Sequence, residues 1–116
     1  MQARVNSAEL IYKKIKEINT SDLPVILMGD LNLTPDTEPI QFLKKHLTDA
    51  MGISKKPFYG PIGTFNGFDQ DRIMENRIDY IFVNNIEVLS YTHIDDRMAN
   101  NMHISDHLPV LITLKN

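Results

Sequence analysis

The sequence predicts a mixed α/β (α+β) domain: one sheet of about four strands with helices packed on one face. Three observations predict it. Apolar residues near the start recur at helical spacing. A short, unbroken apolar run follows them. Three further strand-like runs then crowd the last third of the chain.

The first helix is expected over residues 7–19. Leu10 or Ile11, Ile15 and Ile18 fall three or four apart and share a face, while Lys13, Lys14, Lys16 and Glu17 cover much of the rest. Asn6 or Ser7 can cap its start, and Asn19-Thr20-Ser21-Asp22 stops it. Residues 24–28 form a continuous apolar run, which suits a strand buried on both faces. Pro35-Asp36-Thr37 is a turn. Residues 38–46 read as a second helix, with Ile40, Phe42 or Leu43, and Leu47 inward. Residues 48–63, with Gly52, Pro57, Gly60, Pro61 and Gly63, read as a long irregular loop. Residues 77–83 are a strand rich in Ile, Tyr, Phe and Val, and Asn84-Asn85 is a turn signal. Residues 87–94 alternate as the next strand, 95–106 are a polar loop, and 108–114 are the last strand. Ile26, Met28, Ile81, Val83 and Val110 leave apolar groups on both faces of the sheet, so its second face also needs a cover.

The totals restrict the function. A chain of 116 residues allows one domain. No apolar stretch approaches the ~20 residues of a membrane helix, and the first residues lack an apolar signal core. The absence of Cys removes disulfides, thiolate metal sites and a Cys nucleophile. A net charge of −3 argues against coating nucleic acid through phosphate contacts, yet allows an enzyme acting on phosphate esters.

Polar groups gather at the ends of the apolar runs. Gly29-Asp30-Leu31-Asn32 follows the first strand. Asp30 and Asn32 can orient a water and contact a phosphoryl oxygen, or simply close an Asx-turn. Asp79 lies inside an apolar strand and needs a partner. Taken alone, the strand favours Arg77, two residues back; the alternative is a histidine that the carboxylate keeps protonated. Ser105-Asp106-His107 supplies such a histidine and a carboxylate suited to a hard cation, or else a turn Asp beside an exposed His. Those neighbours cannot form a nucleophile–base–orienter chain. His46, His93, His103 and His107 show no zinc-ligand spacing. Thr64-Phe65-Asn66-Gly67-Phe68 pins its loop to the core or offers Asn66 and Phe68 to a substrate. Lys55 and Lys56 read as solvated charge.

Taken together and in this order, Gly29-Asp30-Leu31-Asn32, Thr64-Phe65-Asn66-Gly67-Phe68, Arg77-Ile78-Asp79-Tyr80-Ile81-Phe82 and Ser105-Asp106-His107-Leu108-Pro109-Val110 resemble the endonuclease/exonuclease/phosphatase superfamily, the deoxyribonuclease I-like phosphoesterases. The opening Ala3-Arg4-Val5-Asn6-Ser7-Ala8 is similar to the stretch after a histidine motif in such enzymes. The resemblance covers nearly the whole chain but only the C-terminal half of the family's catalytic domain. Residues 1–116 are thus expected to form a single partial domain, half of a four-layer α/β sandwich with one mainly antiparallel sheet.

The resemblance implies roles. Asp30 resembles the general base, Asn32 its phosphate-holding companion, Asp106 a metal ligand, His107 the donor to a phosphoryl oxygen, and Asp79 the partner of that histidine. It implies Mg²⁺ or Mn²⁺ and a phosphate-ester substrate: nucleic acid, nucleotide or phospholipid headgroup. The inositol-phosphatase branch is disfavoured by Arg77-Ile78-Asp79-Tyr80. The family's metal-binding Glu, early Asn, Tyr and further His belong to the other half, as would any secretion signal. Two expectations compete: the catalytic part of a phosphoesterase, inactive alone, or a non-catalytic, self-associating module. A bare apolar sheet face would be covered by a second copy, giving a homodimer, or by the N-terminal half.

Overall fold

The computed structural model describes residues 1–69 and 71–115. Helix α1 spans Gln2–Ile18 and so begins earlier than expected. The anticipated cap residues lie inside it. Asn6 accepts a hydrogen bond from Gln2 (3.0 Å), and the Ser7 hydroxyl donates to the Ala3 carbonyl (2.9 Å). Polar side chains that bond within the turn behind them do not interrupt a helix. Val5 and Ala8 are its buried residues.

Strand β1 is Val25–Asp30, and helix α2 is Glu38–His46, with the expected bounds. Pro39 in the first turn is tolerated because its missing N–H would have had no partner there. Lys44, Lys45 and His46 meet the negative end of the helix dipole. Within the expected loop 48–63, Thr48–Asp49 form strand β2 and Ala50–Ile53 a single helical turn, α3, whose start is capped by Asp49 accepting from the Met51 N–H (3.1 Å). A two-residue strand is too short to show a period in sequence. Strands β3 (Asp79–Asn84), β4 (Glu87–His93) and β5 (Val110–Lys115) complete the chain. No helix among the described residues is long and apolar enough to cross a membrane.

Among the described residues the strands form two antiparallel sheets rather than one: β1-β3-β2 and β4-β5. The reason lies in β3, whose four central residues are all buried. Tyr80 and Phe82 pack with Ala8, Leu33, Ile40, Leu43 and Leu47 under the helices. Ile81 and Val83 pack against Val88 and Tyr91 of β4 and Val110, Ile112 and Leu114 of β5. Each large side chain removed from water contributes about 1.5–3 kcal/mol, so both faces of β3 demand a cover. Toward its Asn84 end both edges are already taken, by β1 and β2. The chain therefore turns at Asn85 (φ 57°), and β4 crosses onto the face of β3 instead of pairing with it.

That cover stops short of β1. Ile26 and Met28 lie opposite Val83 and Ile81 in the ladder and share their face, yet they are 47% and 70% exposed. The expected burial of this strand on both faces does not hold: β1 is an edge strand covered on one face only.

Candidate active site

Asp30 ends β1 and Asp79 begins β3, and the two are register partners. Facing residues of antiparallel strands share a face, so the ladder sets two carboxylates side by side. His107 arrives from the segment leading into β5. Its Nδ1–H donates to Asp79 Oδ2 at 2.8 Å, and its Nε2 lies 3.7 Å from Asp30 Oδ2. The hydrogen bond to Asp79 raises the His107 pKa above its ordinary value. Partial burial opposes this, and the charges of Asp79, Asp30 and Asp106 add to it. The edge-to-face ring of Phe65, 5.5 Å away, walls one side of the imidazole.

Arg77 is not the partner of Asp79. Its guanidinium makes a bidentate pair with Asp49 (2.6 and 2.7 Å), donates to the Tyr91 hydroxyl (3.1 Å) and lies over the Tyr80 ring. The pairing favoured by the strand alone is thus overturned, and Asp79 is left to the histidine. Asp49 sits in what reads as loop, so nothing local in the sequence announces it.

Asp30 closes the Asx-turn and keeps one oxygen for the histidine. Its Oδ1 accepts the Asn32 N–H (2.8 Å) in an Asx-turn, while Oδ2 faces His107. Asn32 adopts φ 53°, a backbone region that Asn tolerates better than most residues. It lines a cavity of about 370 Å³ with Thr34, Phe65, Asn76, Ile78 and His107. Thr34 and Asn76 join the site without a motif of their own. Asn76 directly precedes the Arg77 motif, and that adjacency was the available signal.

Asn66 is fully buried and ties its loop to the segment before His107. Its amide donates to the Ser105 carbonyl (2.9 Å), and its oxygen accepts the Phe68 N–H (2.6 Å). Phe68 is 54% exposed at φ 62°. Among the described residues, neither of them lines the cavity beside His107. The Asp106 carbonyl accepts the Asn66 N–H (2.9 Å). Its carboxylate stands outside the group formed by Asp30, Asp79 and His107. Among the described residues, that group alone brings three metal-capable atoms within 4.8 Å of one another. Two carboxylates with an open oxygen edge fit a hard divalent cation. The other histidines lie elsewhere: His46 stacks on Tyr12, His93 bonds the Pro61 carbonyl (2.7 Å), and His103 sits beside Asp95.

The model of the endonuclease/exonuclease/phosphatase family matches residues 2–107. The chain belongs to this family. Solved structures agree. A mannosyl-6-phosphatase of Bacteroides thetaiotaomicron is 34% identical with a TM-score of 0.87, the match covering 100% of this chain and 47% of that one. A family protein of the same organism is 34% identical (TM-score 0.84; 98% and 46%), and one of Bacteroides vulgatus 30% (0.82; 98% and 44%). No curated protein matches. The chain thus spans less than half the length of these structures. Its helices, outside one face of an antiparallel sheet, and its second ladder are half of the family's α/β sandwich.

Proposed function

We propose that this chain is the C-terminal half of a metal-dependent phosphoesterase, and that Asp30, Asn32, Asp79 and His107 act on the phosphoryl group. The observation that carries this reading is the His107–Asp79 bond: it fixes the ring, keeps it protonated to higher pH, and leaves Nε2 facing the opening beside Asp30. A protonated Nε2–H then donates to a phosphoryl oxygen. Asp30 Oδ2 accepts a proton from the attacking water, as a general base at a solvent-open position. The Asn32 amide donates to a second phosphoryl oxygen. Asp30 and Asp79 would hold Mg²⁺ or Mn²⁺, with Asp106, next to His107 in the chain, as a further carboxylate; when bound, the cation neutralises charge developing on the phosphate.

The likeness to a mannosyl-6-phosphatase makes a sugar phosphomonoester the first substrate to test. A nucleotide, an oligonucleotide and a phospholipid headgroup are the other arms. The test is a Mg²⁺- and Mn²⁺-supplemented panel on a protein containing both halves of the sandwich. His107→Ala and Asp106→Ala are expected to abolish turnover. Full turnover after either change overturns the assignment of that residue. The 116-residue chain alone is expected to stay at background.

A second reading concerns assembly and rests on the bare apolar face. Leu10, Ile18, Leu23, Ile26 and Met28 are all more than two-fifths exposed, and Leu10, Ile18, Leu23 and Ile26 line one hollow. In isolation the chain covers this face by packing against a second copy, standing in for the other half. Light scattering that finds only monomer at micromolar concentration rejects this.

A further inference from the structure

We infer that Thr64 is a positioning residue that holds the Asp79–His107 pair from both sides. The inference rests on the proposed function only in giving that pair a catalytic task; the geometry stands apart from it. β2 pairs only with Val83 and Phe82, so among the described residues no strand of the sheet flanks β3 at its Asp79 end on the side away from β1. The stretch 63–66 fills that place. Gly63 and Thr64 donate to the carbonyls of Met74 and Asn76, on the approach to β3. On the other side, Leu108 donates to the Thr64 carbonyl (2.7 Å), and Asn66 donates to the Asp106 carbonyl (2.9 Å). These bonds bracket His107.

The Thr64 side chain completes the link. It is fully buried, and its Oγ1 accepts the N–H groups of both Ile78 (3.1 Å) and Asp79 (3.2 Å). A hydroxyl oxygen has two lone pairs and can take two amides; no apolar side chain can. One residue therefore bonds the backbone of Asp79 through its side chain and the backbone beside His107 through its carbonyl. Gly63 lets the stretch come this close, since a Cβ there would stand 2.7–2.8 Å from the backbone of residues 74–76. Loss of the hydroxyl would leave two part-buried amides without this acceptor and free Asp79 to move relative to His107.

The test compares Thr64→Val, which keeps the shape, with Thr64→Ser, which keeps the hydroxyl. NMR on the ¹⁵N-labelled chain reads amide exchange at Ile78 and Asp79 and the ring Nδ1–H signal of His107. In Thr64→Val, both amides are expected to exchange at least about tenfold faster, with Phe82 in β3 still protected, and the ring signal is expected to vanish. Thr64→Ser is expected to retain all three. In the two-half enzyme, Thr64→Val is expected to lower kcat about 10–100-fold with KM nearly unchanged, and Thr64→Ser to restore it. A Thr64→Val protein that keeps the His107 ring signal overturns the inference, as does a Thr64→Ser protein that loses as much as Thr64→Val. Should Thr64→Val fail to fold, the unaltered chain decides: Ile78 and Asp79 amides exchanging at loop rates refute the link. Intact NMR signals without turnover on any phosphate ester refute the proposed function and leave the Thr64 link standing.

Discussion

Two buried or half-buried histidines with opposite electrostatics lie in this small domain. His107 is raised by its bond to Asp79, whereas burial pushes His93 below its ordinary value of 6.5, against the opposing effect of the Pro61 carbonyl. Between the depressed folded value and 6.5 the unfolded chain binds the more protons. The His93 contribution to stability is therefore complete above that window and is lost as pH falls through it. Urea unfolding at a series of pH values is expected to show this loss, and His93→Gln is expected to flatten the slope relative to the unaltered chain. Parallel slopes would refute it. At the site, Asp30→Asn removes the proposed base and is expected to lower kcat in the two-half enzyme by about 10²–10⁴-fold.

At the scale of elements, β2 is the least conspicuous and carries a disproportionate load. Its two residues deliver Asp49 to Arg77, with side chains only 10% and 6% exposed. Removing one partner of a buried pair leaves the other charge uncompensated, at a cost of about 3–5 kcal/mol. Asp49→Ala is thus expected to shift the urea midpoint strongly, whereas Lys14→Ala, which breaks an exposed pair with Glu17, is expected to have almost no effect. A small shift for Asp49→Ala would mean that Arg77 finds another acceptor. Helix α2 was legible to the residue because the Pro35-Asp36-Thr37 turn precedes it and Ile40, Leu43 and Leu47 keep helical spacing. β2 was not, since two residues show no period and their pairing depends on β3, far along the chain.

For the whole molecule, the outcome turns on the uncovered face. Met28 is 70% exposed, so Met28→Lys places its charge in water without disturbing β1. If two copies pack through this face, sedimentation is expected to show the unaltered chain as a dimer and Met28→Lys as a folded monomer. An unaltered dimer that persists in Met28→Lys puts the contact elsewhere.

The sequence by itself determined where the helices and most strands lie, which polar residues stand at the strand ends, and, through their order, the family. The elements and their polar ends are written locally, in apolar spacing and turn chemistry; the family is carried by the resemblance of four motifs taken in order. The resemblance implied that Asp79 meets His107, but only the tertiary structure found the acceptor of Arg77 and so chose between the two partners of Asp79. Arg77 goes to Asp49 and Asp79 to His107, each pair 28 residues apart in the chain. The division into two sheets was settled in the same way, by a strand whose two faces both needed cover and whose edges, where the chain leaves it, were both taken. Periodicity tells which way a side chain points; what stands opposite depends on segments that the fold alone brings together.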